Sequence, residues 1–457
     1  MPPKRTPATP PLAPPRSPYM LIEEIRVQGY KSLVDATLHV RPLTLLAGTN
    51  SSGKSSIMQP LLLIKQTMEA PYNPAGALLL DGGHVRADHA DQLLCAVSGH
   101  QTNLFNCKIT GRELLDDNQT VTSSGFGVSF IKKKMGFDFA GQITKLNGET
   151  IEVSLDSSWD DIRPQFSEKK QNELLEQGVA EAMVIPATGF VEVVFFDDDS
   201  DVVEIQSLHR YENEVLNIMH IPGLRSAPQR SYPYARYSHK TRGTYDAYVA
   251  GIINEWQQEN EIKELTQLND SLRRLGLTDT VTAKVKNANE VELSVSRLPA
   301  GTKGKARKAD MVNIADVGIG VSQVLPILVA LIAAQPGQLV YIEQPELHLH
   351  PRAQVVMAEL LAEAANRGVR VVVETHSSLL LLTVQTLIAQ GRIQNTDVAM
   401  HWFSRDARGA TKVDYVQPDE DGACGDWPED FGDVELKAQD AYLTAVGRRH
   451  FGAAPQV

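Results

Sequence analysis

The sequence predicts an α/β fold, and three observations carry that expectation. The short apolar run Leu43-Thr44-Leu45-Leu46-Ala47 leads into a glycine-rich loop, Gly48 to Ser55, and then into the apolar helical stretch Ser56-Ile57-Met58 and Leu61 to Ile64. A second apolar strand, Gln338-Leu339-Val340-Tyr341-Ile342-Glu343, ends in a carboxylate. A third, Val369 to Val373, ends in Glu374-Thr375-His376-Ser377. Buried strands followed by helices are the signature of a sheet flanked by helices.

The first of these units has a chemical reading. Gly48-Thr49-Asn50-Ser51-Ser52-Gly53-Lys54-Ser55 fits the pattern G-x-x-x-x-G-K-[ST], and its strand–loop–helix setting is the one such a loop needs. Glycines let backbone N–H groups turn toward phosphate oxygens, and the helix start adds partial positive charge. Gly48, Asn50, Ser51, Ser52, Gly53, Lys54, Ser55 and Ser56 are therefore expected to cradle a nucleoside triphosphate. Lys54 is expected to reach the β- and γ-phosphates and the Ser55 hydroxyl to hold Mg²⁺.

Composition narrows the class. The chain has 457 residues, enough for two or three domains or one elaborated α/β domain. A net charge of −12 argues against a protein that coats nucleic acid over its whole surface. Cys95, Cys107 and Cys424 give neither a disulfide framework nor zinc spacing, so a reducing cytoplasm is expected. The apolar stretch Val324 to Ala334 is too short to span a bilayer, and the N-terminus has no secretory pattern.

Element by element, residues 1–18 read as a disordered proline-rich tail. Residues 19–105 are expected to form the first half of the head. Leu21 to Val27 reads as an edge strand, Gly29 to Ser32 as a turn, Val34 to Val40 as a second strand, and the phosphate loop follows. Residues 106–220 read as a β-rich insertion, from the runs Leu104–Ile109, Gly127–Ile131, Thr150–Leu155, Phe190–Phe196 and Val202–Leu208. A helical piece is expected around Glu168 to Glu181. Residues 221–310 hold a helical stretch from Tyr245 to Leu275 and a loop rich in Gly, Lys and Arg. Residues 311–405 form a second dense α/β region, and 406–457 an extension with a helix near Val434 to Val446.

In the second α/β region Glu343 ends a strand of the kind that brings an acid to the Mg²⁺ side of the phosphates. His376 follows a strand end, where imidazole can both donate and accept toward a phosphate or water. Asp316-Val317-Gly318-Ile319-Gly320-Val321-Ser322-Gln323 puts Gly318, Gly320 and Ser322 ahead of an apolar helix, a second place for an anion.

These four segments, in this order, resemble ATP-binding-cassette (ABC) ATPases. More narrowly they resemble the branch holding structural-maintenance-of-chromosomes (SMC), RecF and overcoming-lysogenisation-defect (OLD) proteins. The closest likeness is to OLD-like AAA-family ATPases that lack a nuclease domain. It rests on Glu343 to Pro351 (E-Q-P-E-x-H-L-H-P), Glu374 to Ser377, Asp426-Trp427-Pro428 and the arginine segment His220 to Arg225 with Pro228-Gln229-Arg230. The resemblance implies an ABC-type P-loop head, a mixed sheet with flanking helices plus an antiparallel β layer. It implies ATP and Mg²⁺ as cofactors, Ser55 and Glu343 at the metal, and His376 as the switch histidine. It also implies a homodimer, or a higher oligomer, in which Gly318, Gly320 and Ser322 of one chain face Lys54 of another across the nucleotide. The His348–His350 turn would touch that partner; metal binding by the pair is the weaker alternative.

One departure matters. Most relatives have Asp-Glu where this chain has Glu343-Gln344. Gln344 cannot accept a proton, so either Glu346 serves as base or hydrolysis is slow and ATP mainly holds a dimer together. Arg225 and Arg230 either pair with acids or serve the phosphates or a subunit contact. Lys132 to Lys134 and Lys303 to Lys308 read as solvated charge, with nucleic-acid contact the less common outcome. The leading expectation is a slow ATPase acting as switch or scaffold in bacterial anti-phage defence, with a separate nuclease or toxin as effector. The alternatives are a RecF-like repair ATPase that binds DNA and a scaffold that does not hydrolyse ATP.

Overall fold

Strands Leu43–Gly48, Leu339–Glu343, Arg370–Glu374 and Val398–Arg405 run parallel and are almost wholly buried, and the sheet they form is the frame of the protein. The computed structural model describes residues 19–71, 76–114, 120–134, 136–146, 149–187, 190–207, 212–235, 243–297, 310–425 and 440–446. The proline-rich tail, the Lys303–Lys308 loop and Asp426 to Pro428 lie outside them.

In chain order the first elements are β1 (Tyr19–Tyr30), β2 (Leu33–His39), β3 (Leu43–Gly48) and α1 (Gln59–Met68). Next come β4 (Leu104–Leu114), β5 (Thr120–Lys133), β6 (Gly136–Leu146), β7 (Glu149–Val153), α2 (Trp159–Ile162), α3 (Glu168–Glu176), β8 (Glu181–Ala187), β9 (Phe190–Phe196) and β10 (Val202–Ser207). The chain continues with α4 (Glu212–Leu216), β11 (Met219–Ile221), β12 (Tyr232–Pro233), α5 (Val249–Gln258), α6 (Ile262–Arg274), β13 (Val281–Asn287), β14 (Glu290–Ser296) and β15 (Met311–Asn313). It ends with α7 (Ile319–Ala333), β16 (Leu339–Glu343), α8 (Pro351–Asn366), β17 (Arg370–Glu374), α9 (Ser378–Ala389), β18 (Val398–Arg405) and β19 (Thr411–Val416).

The central sheet has the order β11-β16-β17-β3-β18-β19, parallel except for the β18–β19 pair. Its strands are apolar at successive positions because both faces are covered. Leu43, Leu45, Val340, Ile342, Val371, Val373 and Met400 face a core shared with α5 to α9. Leu46, Tyr341, Val372 and Phe403 face the opposite core, shared with α1 and an antiparallel sheet of order β2-β1-β4-β5-β6-β7. Among the described residues there are two smaller antiparallel sheets, β10-β9-β8 and β12-β14-β13 with β15. This is the mixed α/β head with an antiparallel layer that the motifs imply.

Several local expectations change. β1 is an interior strand, not an edge, because β4 pairs along its whole length opposite β2. The expected boundaries at residues 105/106 and 220/221 fall inside β4 and β11, so β4 to β7 continue the sheet that β1 starts. The helical stretch from Tyr245 to Leu275 is broken between α5 and α6, where Asn260 takes φ 61°. The helix expected around Glu168 to Glu181 stops at Glu176, and Glu181 opens β8. Among the described residues no helix is long and apolar enough to cross a membrane.

His401, on β18 beside Leu46 of β3, is fully buried and its Nε2 accepts the His39 backbone N–H at 3.0 Å. Burial, with His39 adding to it, pushes its pKa down to about 3. The native state keeps this ring neutral while the unfolded chain takes up a proton near pH 6.5. Its contribution is therefore complete above that pH and is lost as pH falls toward 3, at up to about 1.4 kcal/mol per pH unit. Urea unfolding at pH 7 and pH 5 should show the wild type losing about 2 kcal/mol more than His401→Leu over that interval. Equal losses would remove His401 as the source.

Candidate functional site

The glycine-rich loop leaves β3 with Gly48 at φ 143°, Ser51 at 60° and Gly53 at 102°. A Cβ on Gly48 would lie 2.1 Å from the Phe403 carbonyl oxygen, and one on Gly53 would lie 2.5 Å from Thr411 Oγ1. Both positions need glycine for backbone angle and for space. The loop is gripped from the C-terminal hairpin: Arg405 Nε donates to Ser51 O at 2.9 Å and Thr411 Oγ1 to Ser52 O at 2.7 Å. Ser52 Oγ closes the turn on Thr49 O at 2.7 Å, and Asn50 is exposed. Lys54 is buried, its Nζ donating to Gly48 O at 3.0 Å and Thr49 O at 2.7 Å. Ser55 and Ser56, both half-buried, open a short 3-10 turn that precedes α1.

The acids come to this loop through strand register. Leu46 of β3 pairs with Glu374 of β17, and Glu374 pairs with Glu343 of β16. Burial lowers the Lys54 pKa, and the carboxylates of Glu374 and Glu346 oppose that shift, so both acids lie within electrostatic reach of the lysine. Glu374 is the residue that motif reading passed over, although it carries the same signal as Glu343, an acid ending a buried apolar strand. It takes hydrogen bonds from Tyr341 Oη, at 3.2 Å, and from the Ser55 side chain. Burial, with the Glu343 charge beside it, raises its pKa despite those bonds.

Glu346 Oε1 accepts the His376 backbone N–H at 2.6 Å, and its Oε2 is buried without a well-formed hydrogen bond. Burial raises its pKa, which favours proton uptake. The half-buried His376 ring has its pKa lowered by burial and then by Lys54. Gln344 sits at φ 47°, donates its backbone N–H to Glu374 O at 2.7 Å, and turns its amide toward Gly223.

The segment His220 to Arg225 is the cradle of this corner. His220 Nε2 meets Glu343 Oε1 at 3.2 Å and the Gly223 N–H donates to Glu343 Oε2 at 3.0 Å. Burial opposes the Glu343 charge, but these donors outweigh it and lower the pKa. Arg225 is buried and donates to the carbonyls of Glu343 (2.7 Å), Gln344 (3.1 Å) and Gln323 (3.2 Å). Its guanidinium therefore ties the end of β16 to α7 through Nη1 and Nη2, while its buried Nε makes no well-formed hydrogen bond. Arg230 instead pairs with Asp316 at 2.7 Å on the surface.

Gly318 caps α7, and Gly320 lies against the His348 carbonyl. Ser322 turns its hydroxyl to Ile319 O at 2.8 Å. Among the described residues none of these three hydrogen-bonds the phosphate loop. His350 caps α8, its Nδ1 accepting the Arg352 N–H at 3.3 Å, while His348 is exposed at φ 64°. Among the described residues no group of three or more His, Cys, Asp or Glu side chains is placed to hold a metal, so the His-x-His pair has no third partner.

Two family profiles match the chain: "AAA ATPase domain" over residues 20–218 and "AAA domain, putative AbiEii toxin, Type IV TA system" over residues 225–382. No curated protein matches. Among solved structures the chain is similar to an Smc head bound to the C-winged helix domain of ScpA, with 13% identity, 88% of this chain and 98% of that chain covered, and a TM-score of 0.47. A second is an Smc head with an extended coiled coil bound to the C-terminal domain of ScpA, derived from Pyrococcus furiosus, with 12% identity, 93% and 100% covered, and a TM-score of 0.45. A third is the SMC head domain from Thermotoga maritima, with 11% identity, 87% and 99% covered, and a TM-score of 0.39.

Replacing Arg225 should test the cradle without touching the phosphate loop. Arg225→Met removes three charge-assisted hydrogen bonds to carbonyls and should lower the unfolding free energy by about 3 kcal/mol in urea titrations. A loss below about 0.5 kcal/mol would show that the clamp carries no weight.

Proposed function

We propose that this chain is an ATP-binding switch of the ABC type whose two halves meet around one Mg²⁺-bound triphosphate. The observation that carries the proposal is the placing of Lys54, on the phosphate loop, within electrostatic reach of Glu346 and Glu374 from the second half. The donors fit the metal: the Ser55 hydroxyl and the Glu343 and Glu374 carboxylates are hard oxygen ligands, too few to enclose an ion. Mg²⁺ characteristically completes its shell with waters and phosphate oxygens. Bound there, Mg²⁺ supplies neutralisation of phosphate charge. Lys54 holds the β- and γ-phosphates, and the loop amides from Gly48 to Ser56 orient them.

Glu346 is the proposed general base. It is half-buried, has its pKa raised, and keeps one buried carboxylate oxygen without a well-formed bond. Gln344 cannot serve, because an amide does not take a proton at neutral pH. His376, neutral beside Lys54, is the proposed sensor of the γ-phosphate.

Slow turnover is the expected regime, and ATP acts chiefly as a clamp between two copies. Leu224, 95% exposed beside Glu343, and Ile319, 48% exposed at the start of α7, are apolar side chains that a second copy would cover. Gly318, Gly320 and Ser322 would then face the partner's nucleotide. The E-Q-P-E-x-H-L-H-P and E-T-H-S segments favour an OLD-like branch, and the toxin–antitoxin wording of one matched profile supports a defence role, for which a separate effector is proposed. A scaffold that binds ATP without hydrolysing it is the second reading, favoured by Gln344 alone.

Lys54→Ala should weaken equilibrium ATP binding by at least roughly ten-fold. Glu346→Gln should retain binding while steady-state phosphate release falls by about 100-fold or more. Gln344→Glu should raise turnover. An unchanged rate in Glu346→Gln removes that residue from the chemistry, and an undetectable wild-type rate with intact binding selects the scaffold. Sedimentation of the full chain with ATP should show dimer, and monomer with Lys54→Ala.

A further inference from the structure

Glu343 is the near end of a longer buried chain of polar side chains that neither the motifs nor the proposed chemistry uses. His220 Nδ1 lies 2.9 Å from His84 Nδ1, and His84 Nε2 lies 3.1 Å from Glu69 Oε2. Glu69 is on the cap of α1 and is paired with Lys65 of α1 at 2.9 Å, and the Gly243 N–H donates to its Oε2 at 2.9 Å. Lys65 in turn donates to the Leu216 carbonyl. The side chains of Lys65, Glu69, His84 and His220 are at most 5% exposed. His84 is held in place by Gln66 of α1, whose Oε1 accepts the backbone N–H groups of His84 and Val85 at 3.2 and 2.8 Å. The His220 ring stacks on Tyr341 at 5.3 Å with 12° between planes, which fixes its plane toward Glu343.

We infer that Glu69, His84 and His220 form a positioning relay that holds Glu343 in the orientation needed for a divalent cation and ties it to α1, the helix that follows the phosphate loop. This inference rests on the proposed nucleotide reading of the site. The hydrogen-bond inventory supports it. Each carboxylate faces a ring Nε2 and the two Nδ1 atoms face each other at hydrogen-bond distance, so both nitrogens of each ring are engaged. That arrangement leaves the imidazoles no rotational freedom. A carboxylate fixed by such outer partners keeps its lone pairs aimed; one released from them does not. Removing an outer partner of a metal-binding carboxylate typically costs about 10–100-fold in metal affinity.

The test uses the full chain and ADP as probe. His84→Leu breaks both ring contacts without touching Glu343, and His84→Gln is the second variant should the first fail to fold. ADP affinity in EDTA should stay within about two-fold of wild type, while the Mg²⁺ concentration for half-maximal ATP turnover rises roughly ten-fold or more. Separately, selectively ¹⁵N-histidine-labelled protein without nucleotide should show imidazole N–H protons protected from exchange, among them one far downfield, and these should vanish in the variant. A folded variant with wild-type Mg²⁺ dependence overturns the relay. So does a wild type that lacks the protected imidazole protons, and that readout needs no variant. A wild type that binds neither ADP nor ATP, yet shows those protons, sinks the nucleotide reading and leaves the hydrogen-bonded chain standing.

Discussion

The register of three parallel strands is the constraint on which the rest of the site depends. Leu46, Glu374 and Glu343 sit opposite one another, across about 10 Å of sheet. That alignment brings acids from the last third of the chain to a loop that starts at residue 48. A slip of one residue in β17 would turn Glu374 into the opposite core and carry Val373 toward Ser55. The slip is opposed because it would carry the Glu374 carboxylate into the apolar core that Val371 and Val373 face. Burial on both faces thus specifies the position of a charge that burial itself opposes.

Gathering charge at this corner is costly, and the structure offsets the cost by matching donors to acceptors at short range. Glu343 stays ionised because His220 and Gly223 each donate to one of its oxygens. Glu374 and Glu346, less fully supplied, have their pKa values raised. Burial and partners together thereby set three acids in one corner to different proton affinities. Arg225 directs both of its terminal nitrogens to backbone carbonyls. Its role is to hold the turn after β16 rigid, so that Gln344 can adopt a left-handed conformation and Glu346 can fold back to His376.

Much of this was legible in the sequence because local pattern carried it. The loop from Gly48 to Ser55 is written in consecutive residues, and the strand ends at Glu343 and before His376 follow from apolar runs closed by polar residues. The interior position of β1 was not legible, since its pairing with β4 lies across some eighty residues of chain. Strands β6, β8, β11 to β15, β18 and β19 were not read from the sequence, and β6, β8, β13 and β14 lack unbroken apolar runs. Glu374 was visible as a letter but not as part of the site, because its place there comes from Ser55 and Tyr341 beside it. His84 and Glu69 gave no signal at all; a lone histidine after two glycines acquires significance only when His220 arrives from 136 positions away.

The grip of Arg405 and Thr411 on Ser51 and Ser52 has a consequence for biosynthesis. These contacts join the loop to residues some 350 positions later, on the last two strands of the central sheet. A nascent polypeptide that has left the ribosome only as far as β17 already owns the lysine and the acids, but not the clasp that shapes the turn between them. On the proposed nucleotide reading, the shape the loop needs to hold phosphate is completed late in translation, with the β18–β19 hairpin.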